Sequence, residues 1–116
     1  MRKNLTLGAL AVLMAPGMAV AQLSFTNATS QMSASTSGGC MGVVDMNGDG
    51  LDDIAKLNNA RTVVVDYQNA NGTFTTVNYG NVSGSVQWGW GFADVYHKGH
   101  KDVVSGGSYD GVHYLR

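Results

Sequence analysis

Between residues 60 and 80, two runs rich in β-branched and aromatic residues flank a polar stretch at 68–72, which is typical of paired β-strands. The segment 62–67 (TVVVDY) is a β-branched run, and in 73–79 (TFTTVNY) successive side chains fall on alternate faces with the period of two of a strand. Asn-Gly within that stretch supplies the backbone freedom that a tight turn needs. The pattern therefore predicts a β-hairpin.

A third strand is predicted over 85–92 (SVQWGWGF), where Trp88, Trp90 and Phe92 alternate with other residues, two of them glycine. Alternation places the three aromatic side chains on one face of the strand. We expect this face to fill a core, because large aromatic side chains dominate core burial. A platform that stacks against sugars is the alternative. The last residues, 111–116, look like the start of a further strand.

The N-terminal pattern is different, with two basic residues, an apolar stretch at 5–14 and Ala-Val-Ala at 19–21. These are the three parts of a secretory signal peptide, and the apolar stretch is too short to span a bilayer. We therefore expect a signal peptide at 1–21, cleavage after Ala21, and a secreted or extracellular protein with no membrane span. Residues 22–41, rich in Ser and Thr, are predicted to form an extended lead-in or a first strand rather than a core element.

Every acidic residue is an aspartate, and the chain contains no glutamate. Asp favours turns and caps whereas Glu favours helices, so this bias predicts strands joined by loops and an all-β fold. The formal net charge is −1, and no basic stripe is present. A nucleic acid is therefore not an expected partner.

Cys40 is the only cysteine, which rules out an intrachain disulfide. Free cysteines usually serve packing, so we expect a small buried or half-buried thiol. A bridge to a cysteine outside this chain is the alternative.

The stretch 45–53 (DMNGDGLDD) carries four of the eight carboxylates. Oxygen-bearing side chains fall at its positions 1, 3, 5 and 9, and a glycine lies at position 6, where a calcium loop turns sharply. The expected ligands are the side chains of Asp45, Asn47, Asp49 and Asp53 with the carbonyl oxygen of Leu51. A calcium ion would turn the repulsion between these charges into coordination.

The remaining acid of the stretch, Asp52, is expected to face solvent. Mg²⁺ suits the loop less well, because it demands octahedral geometry and keeps its waters. A solvated turn without an ion is the alternative. An EF-hand would require Glu at position 12 and a following helix, but that position is Lys56 and a β-branched run follows.

The segments GVVDMNGDGLDDIA and RTVVVDYQNANGTFTTVNYG together resemble the FG-GAP repeat, also called the VCBS repeat. This repeat builds the β-propellers of integrin alpha-subunits and of many secreted bacterial proteins. The resemblance covers residues 42–116, as one full repeat and part of a second. It implies antiparallel four-stranded blades of a partial β-propeller, with Ca²⁺ held by the five ligand residues of the loop.

The segment GFADVYHKGHKDVVSGG supplies a second copy of the loop, with Asp94 and Asp102 at positions 1 and 9 and Gly99 at position 6. Positions 3 and 5 are Tyr96 and Lys98, which offer no carboxylate. We expect this copy to keep the turn and lose the ion. Two histidines within it suggest zinc as an alternative, but no convincing set of further ligands accompanies them.

The expected function is a secreted calcium-binding repeat module with a structural, adhesive or ligand-binding role and no catalysis of its own. Its protein or carbohydrate ligand is unknown. Exposed strand edges would be covered by missing blades of a longer parent chain or by self-association. The alternative is a non-catalytic front part of an extracellular enzyme that acts on polysaccharides or lipids. Three acids, Asp52, Asp66 and Asp110, lie outside the ligand positions in turn-like or strand-edge context, and no hydrolase motif occurs.

Overall fold

Alternating runs bounded by Gly, Asn and Asp form β-strands throughout the computed structural model, which describes residues 23–35 and 37–116. A 3₁₀ turn, Thr29–Gln31, precedes the strands. The strands are β1 (Ser37–Val44), β2 (Asp53–Asn58), β3 (Thr62–Gln68), β4 (Phe74–Asn81), β5 (Gly89–Ala93), β6 (Asp102–Gly107) and β7 (Gly111–Leu115). In these described residues no helix is long and apolar enough to cross a membrane. The predicted signal peptide at 1–21 lies outside them.

The strands form two antiparallel sheets in which every strand pairs with its neighbour in sequence. The first sheet has the order β1-β2-β3-β4, and the second has the order β5-β6-β7. Short connections produce this order, because a turn of a few residues can only return the chain beside the strand it has just left. The all-β class and the antiparallel four-stranded sheet are thus confirmed, and the second sheet contains three described strands.

The predicted hairpin is β3 and β4, joined by a turn at 69–73. Gly72 there has φ +80°, a left-handed conformation that glycine adopts without steric cost. The strand predicted at 111–116 is also present, as β7. The predicted border between lead-in and repeat, at residue 42, falls within β1 rather than before it.

The core lies between the two sheets. It combines Ala55, Leu57, Val63 and Val65 of the first sheet with Val103 of the second. These residues are at most 5% exposed, and their burial is the main favourable contribution to stability. Strands β1 and β5 bring the sheets closest together.

Trp90 and Phe92 pack against this core as predicted, with their rings edge to face and 5.5 Å apart. A Cβ atom on Gly42 would overlap the Phe92 ring, so glycine at this position allows β1 and β5 to approach. Trp88 was expected in the same core, and this prediction is wrong because its side chain is 63% exposed. Strand β5 begins only at Gly89, so strand alternation does not direct the Trp88 side chain inward.

Cys40 is a free, buried thiol, as expected for a packing cysteine. Its Sγ donates a hydrogen bond of 3.3 Å to the carbonyl oxygen of Gln87. Burial raises the pKa of the Cys40 thiol, which disfavours the reactive thiolate. The thiol therefore joins β1 to the segment that leads into β5.

Candidate metal centre

The acidic stretch forms the loop between β1 and β2, at residues 45–52, and Asp53 begins β2. Two glycines of the loop, Gly48 and Gly50, have φ +82° and +86°. Side chains rarely adopt these values, so the alternation of glycine with oxygen-bearing residues is a requirement of the turn. The glycine at position 6 thus takes the sharp turn that the sequence predicted.

Asp45 points into the loop and accepts three backbone hydrogen bonds. Its Oδ1 accepts from the N–H groups of Gly48 at 2.7 Å and Asp49 at 3.2 Å, and its Oδ2 accepts from Gly50 at 2.9 Å. Desolvation acts to raise the pKa of Asp45, but these hydrogen bonds and the charge of Lys101 hold the pKa below its usual value. The carboxylate is therefore ionised at neutral pH and fixed toward the centre of the turn.

Asn47 and Asp49 lie together beside Asp45. Asn47 Nδ2 donates to Asp49 Oδ2 at 3.0 Å, and the Asp49 N–H donates to Asn47 Oδ1 at 3.0 Å. Asp49 Oδ1 also accepts from the N–H of Leu51 at 2.8 Å. Both side chains are exposed, so two of the predicted ligand side chains present oxygen atoms to solvent beside the half-buried Asp45.

Asp53 takes a different position, because it is fully buried. Its Oδ2 accepts from the N–H of Met46 at 2.9 Å, and its Oδ1 accepts from the N–H of Gln68 at 2.9 Å. Asp53 thus ties the start of the loop to the end of β3. Within residues 23–35 and 37–116, no three carboxylate, imidazole or thiol side chains lie close enough together to hold a metal ion.

The donor chemistry of the loop fits a hard cation in part. Asp45, Asn47 and Asp49 offer oxygen atoms in one exposed turn, which is the donor type that Ca²⁺ takes. Ligation by Asp53 would require its carboxylate to release the hydrogen bond from Met46. Asp52 is exposed, as predicted.

The loop between β5 and β6, residues 94–101, repeats part of this hydrogen-bond pattern. Asp94 accepts from the N–H groups of Lys98 and Gly99, both at 2.8 Å, and Gly99 has φ +84°. Asp102 Oδ2 accepts from the N–H of Val95 at 3.3 Å, as Asp53 does from Met46. The second loop therefore keeps the turn that its sequence predicted.

The third and fifth positions of this second loop interact with each other. The Lys98 ammonium lies 5.4 Å from the centre of the Tyr96 ring. The backbone hydrogen bonds from Gly99 and Lys98 lower the pKa of Asp94. The loop thus stabilises its single inward carboxylate with backbone N–H groups and neighbouring positive charge.

The two loops lie side by side. The Lys101 N–H donates to the Met46 carbonyl oxygen at 2.8 Å, and a Cβ atom on Gly48 would overlap the carbonyl oxygen of Gly99. The charge of Lys101 contributes to the lowered pKa of both Asp45 and Asp94. The loops are therefore part of the contact between the sheets.

The zinc alternative rested on His97 and His100. Both side chains are exposed, and the described residues contain no cluster of ligands around them. His113 instead contacts Asp110, with 2.9 Å between Nε2 and Oδ2. We do not propose a zinc site.

A buried ion pair escaped the sequence prediction. Lys56 Nζ lies 2.5 Å from Asp66 Oδ2 and donates to Ser33 Oγ at 2.6 Å, while Thr76 Oγ1 donates to Asp66 Oδ1 at 2.6 Å. Asp66 was expected at a turn or strand edge, and that is wrong, because it lies within β3 and is fully buried. A charged residue inside a β-branched run was the signal that a partner had to exist.

The stability of the protein is expected to fall in acid. The pKa values of Asp45, Asp66, Asp94 and Asp110 are all lowered in the folded state. For Asp66, desolvation acts to raise the pKa, and the hydrogen bonds from Lys56 and Thr76 outweigh it. Since the ordinary pKa of Asp is about 3.9, this contribution is present above about pH 4 and is lost as the pH falls through the folded values.

Urea unfolding at a series of pH values tests this expectation. The free energy of unfolding should stay level from about pH 7 to 5 and decrease steeply below about 4. Asp66→Asn should show a shallower decrease, because the variant has one fewer proton to take up. A stability that is independent of pH down to about 2 would contradict the assignment.

Comparison of the chain with protein-family models, with curated proteins and with solved structures gives no match. The resemblance to the FG-GAP repeat therefore stays a prediction carried by the loop and hairpin residues themselves.

Proposed function

We propose that this chain is a secreted, calcium-stabilised repeat module, built from consecutive blades of the FG-GAP or VCBS kind and without catalysis of its own. The observation that carries the proposal is the recurrence of one hydrogen-bonded Asp loop at the same place in both sheets. In each sheet the loop joins the first strand to the second, Asp at position 1 accepts backbone N–H groups, and Asp at position 9 accepts the N–H of position 2. Such recurrence is typical of repeat proteins.

The orientation of the sheets supports the same proposal. Counted from the Asp at position 9 of each loop, Ala55 of β2 corresponds to Val104 of β6. Ala55 is part of the core and faces the second sheet. Val104 follows the core residue Val103 in its strand, so its side chain is on the other face of the second sheet, away from the first sheet. Equivalent faces of the two sheets therefore point in the same direction, and the inner face of the first sheet packs against the non-equivalent face of the second. Blades of a propeller stack in this way.

With this stacking, each sheet has an outer face that is turned away from the other sheet and carries exposed apolar residues. On the second sheet, Val104 and Tyr114 are 38% and 43% exposed, and on the first sheet Met41 and Val43 are 64% and 66% exposed. Adjacent exposed apolar residues on a sheet face indicate an interaction surface. We propose that further blades, from a longer parent chain or from other copies, cover these faces.

Calcium has a structural role in this proposal. Asp45, Asn47 and Asp49 would supply side-chain oxygens and Leu51 its carbonyl oxygen, while Asp53 would join them or hold the loop in place. Extracellular modules bind Ca²⁺ with dissociation constants of about 10⁻⁴ to 10⁻³ M. At about 1 mM free ion, one such site adds only about 0.4 to 1.4 kcal/mol to the free energy of unfolding.

Thermal unfolding with and without calcium tests the proposal. We expect about 1 mM Ca²⁺ to raise the melting temperature by a few degrees, as about 1 kcal/mol does for a domain of this size. Mg²⁺ should have little effect. Asp49→Asn should abolish the shift, because it removes a ligand charge and keeps an oxygen for the Leu51 N–H.

Asp52→Asn is the matched control, since it removes the same charge from the same loop at an exposed position that is not a predicted ligand. It should retain the calcium shift. An equal shift in Asp49→Asn, or none in the wild-type protein, would remove the basis for a calcium loop.

A further inference from the structure

A cavity of about 580 Å³ lies between the sheets, away from β1 and β5 where the sheets are closest. Its lining comes from β3 and β4 of the first sheet, β6 and β7 of the second, and residues of the two loops. The volume is in the range of small-molecule sites in proteins. Five aliphatic side chains form much of the lining: Val63, Val65, Val82, Val103 and Leu115.

The polar part of the lining carries positive charge. Lys101 and Arg116 are part of it, with the Arg116 guanidinium 4.4 Å from the centre of the Tyr96 ring, and the described residues that line the cavity include no side-chain carboxylate. Lys101 comes from the second loop and is half-buried, so its ammonium is less screened than that of a fully exposed lysine. The basic side chains therefore favour an anionic group in or at the cavity.

Tyrosine hydroxyls add hydrogen-bonding groups. Tyr67 and Tyr79 line the cavity, and their hydroxyl oxygens are 2.7 Å apart. The Tyr114 hydroxyl donates to Asp102 Oδ2 at 2.9 Å and lies on the face of the second sheet that carries Val104, so its proton is already used there.

We propose that this cavity binds a small amphipathic monocarboxylate, with its hydrocarbon chain between the sheets and its carboxylate beside Lys101. The aliphatic lining matches the hydrocarbon chain, and the excess of basic groups matches the negative head. A ligand of this class gains affinity from apolar burial and orientation from charge-assisted hydrogen bonds. The site is separate from the calcium loop in its chemistry, although Asn47 borders both.

Calorimetric titration of the purified protein with decanoate tests the proposal, at concentrations below those at which decanoate forms micelles. Decanol has the same hydrocarbon chain without the charge, and acetate has the charge without the chain. We expect saturable binding of one decanoate per protein, weaker binding of decanol and no measurable binding of acetate. The titrations should give the same result with calcium and with a chelator, which separates this site from the calcium loop.

The variant Lys101→Gln should weaken decanoate binding by about tenfold or more, because a charge-assisted contact is lost. Its affinity for decanol should not change. Lys98→Gln is the matched control, since Lys98 has the same charge in the same loop and lies over Tyr96 rather than in the cavity lining. It should bind decanoate as the wild type does.

Three results would overturn the proposal. The first is no decanoate binding by protein that shows a cooperative unfolding transition. The second is an equal loss of affinity in Lys98→Gln, which would indicate a diffuse charge effect. The third is binding to vesicles of anionic phospholipid without binding to free decanoate, which would indicate a membrane surface as the partner instead.

Discussion

Replacement of Lys56 by methionine is expected to lower the free energy of unfolding by about 3 to 5 kcal/mol. The Lys56 side chain is 6% exposed, and that of its partner Asp66 is fully buried. Loss of the ammonium leaves the Asp66 carboxylate buried on a sheet face, with only Ser33 and Thr76 as hydrogen-bond donors. An unpaired buried charge is among the costliest single defects in a protein. Urea unfolding at pH 7 measures the loss.

The loss in free energy of unfolding caused by Lys56→Met should be smaller at acidic pH. Without Lys56, burial raises the folded-state pKa of Asp66, so the variant is relatively more stable where Asp66 is protonated and loses stability as the pH rises. The double variant Lys56→Met/Asp66→Leu should recover a large part of the loss, since an apolar pair can replace a buried ion pair. A cost below about 1 kcal/mol for Lys56→Met alone would show that the pair is solvated.

Gly48→Ala is expected to cost about 3 kcal/mol or more. A left-handed backbone conformation costs a non-glycine residue roughly 1 to 2 kcal/mol, and Gly48 has φ +82°. The added methyl group would also overlap the carbonyl oxygen of Gly99 in the neighbouring loop. That oxygen belongs to backbone, so relief requires the two loops to separate, and overpacking of this kind costs about 1 to 3 kcal/mol.

Gly50→Ala provides the matched comparison in the same loop. Gly50 has φ +86°, and nothing lies within 4 Å of a Cβ atom built there. It should therefore lose only the conformational part, about 1 to 2 kcal/mol. Equal losses in the two variants, measured by urea unfolding, would contradict the packing of one loop against the other.

The features that could be predicted from the sequence are those that a few neighbouring residues determine. The hairpin of β3 and β4 follows from alternation around Asn-Gly, and the turn at 45–52 follows from glycines placed between oxygen-bearing residues. Both depend on backbone preferences of a few neighbouring residues. The same local logic predicted the second turn at 94–101.

The features that were missed depend on contacts between distant residues. Ser33 lies 23 positions from Lys56, and no local pattern places it over the ion pair. The exposure of Trp88 depends on where β5 begins, which sheet pairing decides. Asp53 matches the ninth ligand position in sequence, yet its two oxygens bind backbone N–H groups of Met46 and Gln68. The pairing of β2 with β3 brings Gln68 to it.

Calorimetric counting of calcium ions tests the central claim most directly, because the two loops make different predictions within one protein. The loop at 45–52 has oxygen-bearing side chains at positions 3 and 5, whereas the loop at 94–101 has Tyr96 and Lys98 there. We predict one Ca²⁺ per chain, with binding abolished by Asp49→Asn and retained in Asp52→Asn. Absence of saturable binding by the folded protein, or binding that survives Asp49→Asn, would contradict the calcium loop.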